Sequence, residues 1–203
     1  MWFKRLVLTC VATGLTSSAV LAQQPFDPLS TREIDMAKGT LLASLTVRQS
    51  LGARPYYTII NVERHIEPKG VTAAGRRADV MLFNYTTNET ISAVVSVAGS
   101  PRIDALRVTK DPPPPLGVEE TDAARQMAFA NGAVQARLQG AGVAASDPSL
   151  IVTHLFGRAE DTRDVCSRNR CVVLFFNTRA QFLFPAVVDL TERTVRIVDA
   201  PER

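Results

Sequence analysis

Histidine is scarce in this 203-residue chain, occurring only as His65 and His154. Two imidazoles exclude a three-histidine copper site built from one chain. Neither stands in an H-E-x-x-H pair, and neither a G-x-S-x-G elbow nor a glycine-rich phosphate loop occurs, so the hydrolase and nucleotide-binding chemistries that need them have no foothold. An excess of one charge is also missing. The formal charge is +3, and setting Lys4 and Arg5 aside with the first segment leaves 21 basic residues against 20 acidic ones, which argues against nucleic acid as a partner. No apolar run beyond residue 22 is long enough to cross a bilayer.

What is present begins with MWFKRLVLTCVATGLTSSAVLA, residues 1–22. Lys4 and Arg5 precede an apolar run that closes on Val20-Leu21-Ala22, the pattern of a cleaved secretory signal. A membrane anchor is the rival reading, against which stand the run's short length and its interruption by Thr9, Thr13, Thr16, Ser17 and Ser18. Cys10 lies too early in the run for a lipid-attachment cysteine. The expected location is therefore periplasmic or secreted. The other two of the three cysteines, Cys166 and Cys171, form a C-x4-C pair, suited to a disulfide across a tight hairpin in an oxidising compartment. With His65 and His154 the same thiols make a zinc set on paper, although the histidines lack ligand-pair spacing.

The rest of the chain follows one plan twice. Ser30 and Glu33 have capping-box spacing, and Ile34, Ala37, Leu41 and Leu45 fall on one face of the helix they open. RPYYTIINVERHI, ADVMLFNYT, TISAVVSV and IDALRVT read as strands; Ile91, Ala93, Val95 and Val97 alternate with polar neighbours. KDPPPPLG is a proline-rich break. A second helical stretch follows, with apolar Met127, Val134 and Leu138 and an interruption at Asn131-Gly132. LIVTHLF, CVVLFFNT, FLFPAVVDL and TVRIVD are again strand-like, and Pro185 marks an edge or a bulge. The expectation is α+β: a signal over 1–22, one unit over 25–112 and another over 113–203, each a helix on a curved antiparallel sheet whose other face is polar.

PFDPLSTREIDMA, IEPKGV, DPPPPLGVEETDAA, VQARLQGAGV and VVDLTERTVRIVD, in that order and spacing, resemble the two small α+β domains that precede the catalytic domain of copper amine oxidases. The resemblance runs from about residue 25 to the C-terminus and implies a cystatin-like fold for each unit. It does not imply the enzyme. That chemistry belongs to a large β-sandwich with three copper-binding histidines and a topaquinone made from tyrosine in Thr-x-x-Asn-Tyr-(Asp/Glu), and the resemblance would begin that domain where this sequence ends, at Arg203. The pair Asn84-Tyr85 echoes the motif, but Met81 and Thr86 depart from it. Tyr85 is therefore read as a strand aromatic, and no catalytic residue, metal or cofactor is expected. The Gln-x-Val-x-Gly wedge of cystatin inhibitors is absent too.

Other features have ordinary readings. Asn84-Tyr85-Thr86 and Asn88-Glu89-Thr90 fit the glycosylation acceptor pattern by chance. The arginines of residues 158–170 are interleaved with Glu160, Asp161 and Asp164 and read as a solvated loop. Phe175, Phe176, Phe182 and Phe184 are expected to fill mostly core positions. The functional expectation is an exported, non-catalytic binding or assembly module whose partner is a periplasmic oxidase or envelope protein. The alternatives are the non-catalytic subunit of a split amine oxidase, or a small-molecule binder in the cleft between units.

Overall fold

The structure is a computed structural model that describes residues 27–70, 75–110 and 112–198; the signal segment lies outside them. Helices α1 (Thr31–Ala43) and α2 (Leu45–Leu51) precede strands β1 (Tyr57–Arg64), β2 (Arg77–Asn84), β3 (Glu89–Ser96) and β4 (Arg102–Thr109). Helices α3 (Val118–Ala130) and α4 (Gly132–Gly140) precede β5 (Ile151–Gly157), β6 (Cys171–Asn177), β7 (Phe182–Asp189) and β8 (Thr194–Ile197). The strands form two four-stranded antiparallel sheets in the orders β1-β2-β3-β4 and β5-β6-β7-β8. The fold is α+β, with a helical layer on each sheet.

Both helical layers are broken into two. Asn131 makes the second break by accepting hydrogen bonds from the amides of Ala133 and Val134 at 3.0 and 3.2 Å, which starts a new helix. The first break falls at Ser44, which turns extended at φ −62° and ψ 130°. Leu45 therefore leaves the face shared by Ala37 and Leu41 and is 69% exposed, contrary to the helical periodicity. Pro185 lies in β7, an interior strand, opposite Phe175 of β6. It is tolerated because only its carbonyl is used on the β8 side: it accepts from the Val198 amide at 3.1 Å, just beyond the end of β8, which pairs with Ala186–Asp189.

The first sheet buries Ala78, Val80, Leu82, Ile91, Ala93 and Val95 against α1 and α2. The expectation that its other face is polar fails. Ile60, Phe83 and Tyr85, with Met81 beside them, point away from α1 and join one continuous core with α3, α4 and the second sheet's Val172, Leu174, Phe176, Phe184, Ala186 and Val188. The second unit thus covers part of the first sheet's back, and α3 contacts both β1 and the second sheet. The outer face of the second sheet is covered in part by the Cys166–Cys171 loop, which packs on Val173 and Val187, while Ile151, Leu155 and Phe182 are 44, 60 and 55% exposed.

Candidate functional site

Each unit opens with the same ionic latch. In the first, Glu33 at the third helical position accepts from the Ser30 amide at 2.8 Å, while the Ser30 hydroxyl accepts from the Glu33 amide at 3.3 Å. The carboxylate also takes the guanidinium of Arg76, which precedes β2 and reaches back to the carbonyls of Asp27 and Pro28 at 3.2 and 2.9 Å. That guanidinium, with the Ser30 hydrogen bonds, overcomes partial burial and holds the Glu33 carboxyl at about 2. In the second unit Glu120 accepts from the Gly117 amide at 2.9 Å and from Arg170 at 2.7 Å, and Arg170 donates to the carbonyls of Pro114 and Pro115 at 3.0 and 2.8 Å. The two latches match group for group except at the cap. Glycine stands where serine would, because a Cβ at position 117 would meet the Ile60 carbonyl oxygen at 3.2 Å and its Cα at 3.3 Å.

This second latch is the junction between units. Tyr85, at the end of β2, donates from its hydroxyl to Glu120 Oε1 at 2.7 Å. Its ring stacks on Tyr56 at 4.5 Å and meets Phe83 edge-on at 5.3 Å. The Arg170 guanidinium lies 4.5 Å over Phe83 and 5.1 Å over Phe156. Tyr56 donates to the Leu190 carbonyl, and Asn88 Nδ2 to the Arg168 carbonyl at 2.7 Å. Burial, reinforced by the neighbouring Glu120, pushes the Tyr85 phenol far above the ordinary tyrosine range. Tyr85, Glu120 and Arg170 are 5, 2 and 2% exposed. Their role is to join the units.

Beside the junction lies an open cavity of about 320 Å³. One wall comes from the first unit: the β2–β3 turn with Asn88, and Lys110 beyond β4. The other is the loop from Cys166 to Arg170. That loop is closed by a disulfide between Cys166 and Cys171, with Cα atoms 5.5 Å apart. It is pinned further by Asn169, which donates to Asp189 at 2.7 Å, and by a 3-10 turn, Val165–Ser167, capped by Asp164. Lys110, Arg158 and Arg168 line the cavity, and no acid among the described residues does. Asn88 Oδ1 is buried without a hydrogen-bond partner.

The zinc set is not assembled. His65 sits past the end of β1 with Asp79 at 2.8 Å, His154 stands opposite Leu174 in the second sheet, and both thiols are in the disulfide. Among the described residues no group of three or more potential ligands is close enough to hold a metal. Both glycosylation-type asparagines are occupied in the fold: Asn84 is fully buried and donates to the Ser50 carbonyl at 2.9 Å, and Asn88 is held by Arg168. The solvated reading of residues 158–170 fits Arg163, paired with Asp161 at 2.8 Å, but not Arg170. Comparing the halves would have found it. Arg76 and Arg170 stand just before β2 and β6, the strands RADVMLFN and CVVLFFN, as Glu33 and Glu120 stand at equal depth in their helices.

No family model and no curated protein matches this sequence. Among solved structures, the chain is similar to a copper-containing benzylamine oxidase from Hansenula polymorpha, with a TM-score of 0.53 and 14% identity. The match covers 86% of this chain but 30% of the oxidase. At that identity the likeness is one of fold, and the fold shared is that of two α+β units making up less than a third of a copper amine oxidase.

Proposed function

We propose that this chain is an exported, non-catalytic binding or assembly module whose partner is an envelope protein or a separately encoded oxidase. The observation that carries this reading is the lopsided match, in which nearly all of this chain corresponds to a minor part of a much larger enzyme. Two further features support it. The second sheet presents Ile151, Leu155 and Phe182 to solvent on a face whose counterpart in the first unit is partly covered. Among the described residues its edge strand β5 also has no strand neighbour on one side, and apart from the Val152 carbonyl, which accepts from Arg125 at 2.6 Å, its outer backbone groups are open for pairing with another chain. Export is supported by the signal-like residues 1–22 and by the disulfide.

Purified protein is expected to release no hydrogen peroxide from benzylamine with or without added copper. Affinity capture from the native envelope is expected to retain a partner that the exposed-face variant Leu155→Asp loses. Benzylamine turnover, or identical capture by both forms, would overturn the reading. An oxidase as the captured protein would narrow it to subunit of a split enzyme.

A further inference from the structure

The strands at the sheet edges are not alike. β1 carries Glu63 and Arg64 and a bulge between Ile59 and Asn61; β4 carries Arg102, Asp104 and Arg107 and also breaks register with its neighbour; β8 is 4 residues long and carries Arg196. Charge, irregularity and shortness each discourage a further strand from adding to an edge. β5 has none of them. All 7 of its residues pair with β6 in unbroken register, and the strand contains no Asp, Glu, Lys, Arg or Pro.

The open side of β5 can be read group by group. The Arg170 carbonyl takes the Leu190 amide at 2.9 Å, so by alternation Val173 and Phe175 bond to their β5 partners Leu155 and Thr153. The backbone groups of Val152, His154 and Phe156 are left facing away from the sheet. Arg125 of α3 reaches that side and donates to the Val152 carbonyl at 2.6 Å. Its guanidinium is half-buried and, unlike those of Arg76 and Arg170, stands in no ion pair among the described residues. A carboxylate arriving beside Val152 would complete it.

A strand laid antiparallel along β5 places the side chain opposite Val152 on the helical face, beside Arg125, because Val152 itself packs into the core there. The side chains opposite Ile151 and Leu155 fall on the outer face, against those exposed apolar neighbours. The added strand must therefore carry, from its N-terminus, an aliphatic residue, a pair of any kind, an acid and a second aliphatic residue. A second copy of β5 cannot supply the acid, since the strand has none.

We propose that the β5 edge receives an extended segment of the partner by β-strand addition, the segment's acid meeting Arg125; this rests on the assembly reading and names the part of the partner that is bound. The probe is the acetylated and amidated peptide TVTVEVT, titrated into the purified protein and followed by NMR. Saturable one-to-one binding is expected. Amide exchange should slow about ten-fold or more at His154 and Phe156, which face the peptide, and change little at Thr153 and Leu155, which already bond to β6. Replacing the peptide's glutamate by lysine is expected to weaken binding about ten-fold by setting like charges together, and Arg125→Gln to remove that discrimination. N-methylation of the peptide threonine opposite His154 leaves the protein untouched and is expected to abolish binding, because a ladder donor is lost.

Absence of binding, binding that leaves His154 and Phe156 unprotected, or equal affinity for the glutamate and lysine peptides would overturn the proposal. A dimer of the free protein that protects the same amides would overturn it in favour of a second copy. If the peptide fails while Leu155→Asp still loses its captured partner, strand addition falls and the assembly reading stands. If the peptide binds while both forms capture alike, the assembly reading falls alone.

Discussion

The same latch, a glutamate at the third position of a helix paired with an arginine just before a strand, is used twice in unlike surroundings. Glu33 and Arg76 keep 11 and 14% of their side chains exposed, whereas Glu120 and Arg170 keep 1% each. In the first unit the latch closes one helix onto its own sheet. In the second, the sheet of the preceding unit is laid over it through Phe83, Tyr85 and Ile60, and a device for capping a helix becomes the fastening between two units. The difference teaches that burial, not the pairing itself, sets how much each copy contributes, because water can re-solvate a broken pair only where it can enter.

Breaking the arginines should separate the two most sharply. Arg170→Ala is expected to cost about 3–5 kcal/mol by leaving Glu120 buried without its counter-charge; Arg76→Ala, whose carboxylate partner can turn to solvent, about 1–2 kcal/mol. Urea unfolding of the two variants measures both, and equal losses would erase the distinction. Exchanging the caps comes next. Gly117→Ser pushes a side chain against the Ile60 backbone and is expected to cost about 1–3 kcal/mol through overpacking, while Ser30→Gly costs a few tenths of a kcal/mol in about the usual range for that cap change. A mild Gly117→Ser would mean that the units are not pressed together at this point.

The smallest effect is in the acid limb. Because the Glu33 carboxyl is held at about 2 in the folded chain against an ordinary 4.5, its contribution is complete above the ordinary value. It is lost as pH falls from there through the folded value. With allowance for solvent at this partly open site, the loss is on the order of 1–2 kcal/mol. Unfolding free energies measured from pH 5 to pH 2 should therefore fall less steeply in Glu33→Gln than in the wild type. Identical slopes would show that Arg76 does not shift this carboxylate.

The elements that the sequence announced were those whose signals are local. Alternation of Ile91, Ala93, Val95 and Val97 marked a strand, and all four are buried at 5% exposure or less. Ser30 and Glu33 lie three residues apart and cap as their spacing indicated. Asn131 carried its own capping oxygen and broke the helix where expected. The features that stayed hidden depend on distant partners. Glu120 and Arg170 are 50 residues apart, and nothing near Arg170 distinguishes it from the solvated arginines of the same loop. Gly117 lacks a capping side chain because of Ile60, a residue of another unit. The break at Ser44 came without proline or glycine beside it. Likewise, Phe83 and Tyr85 were legible as strand aromatics, but the helix they pack against begins more than thirty residues later.

Gly117 also gives the tandem arrangement a direction. A unit with glycine at its helix cap can receive the back of another sheet; a unit with serine there already fills that space with its own hydroxyl. The bare cap at Gly117 is thus what lets the Ile60 backbone of the leading unit come so close to the helix start of the following one.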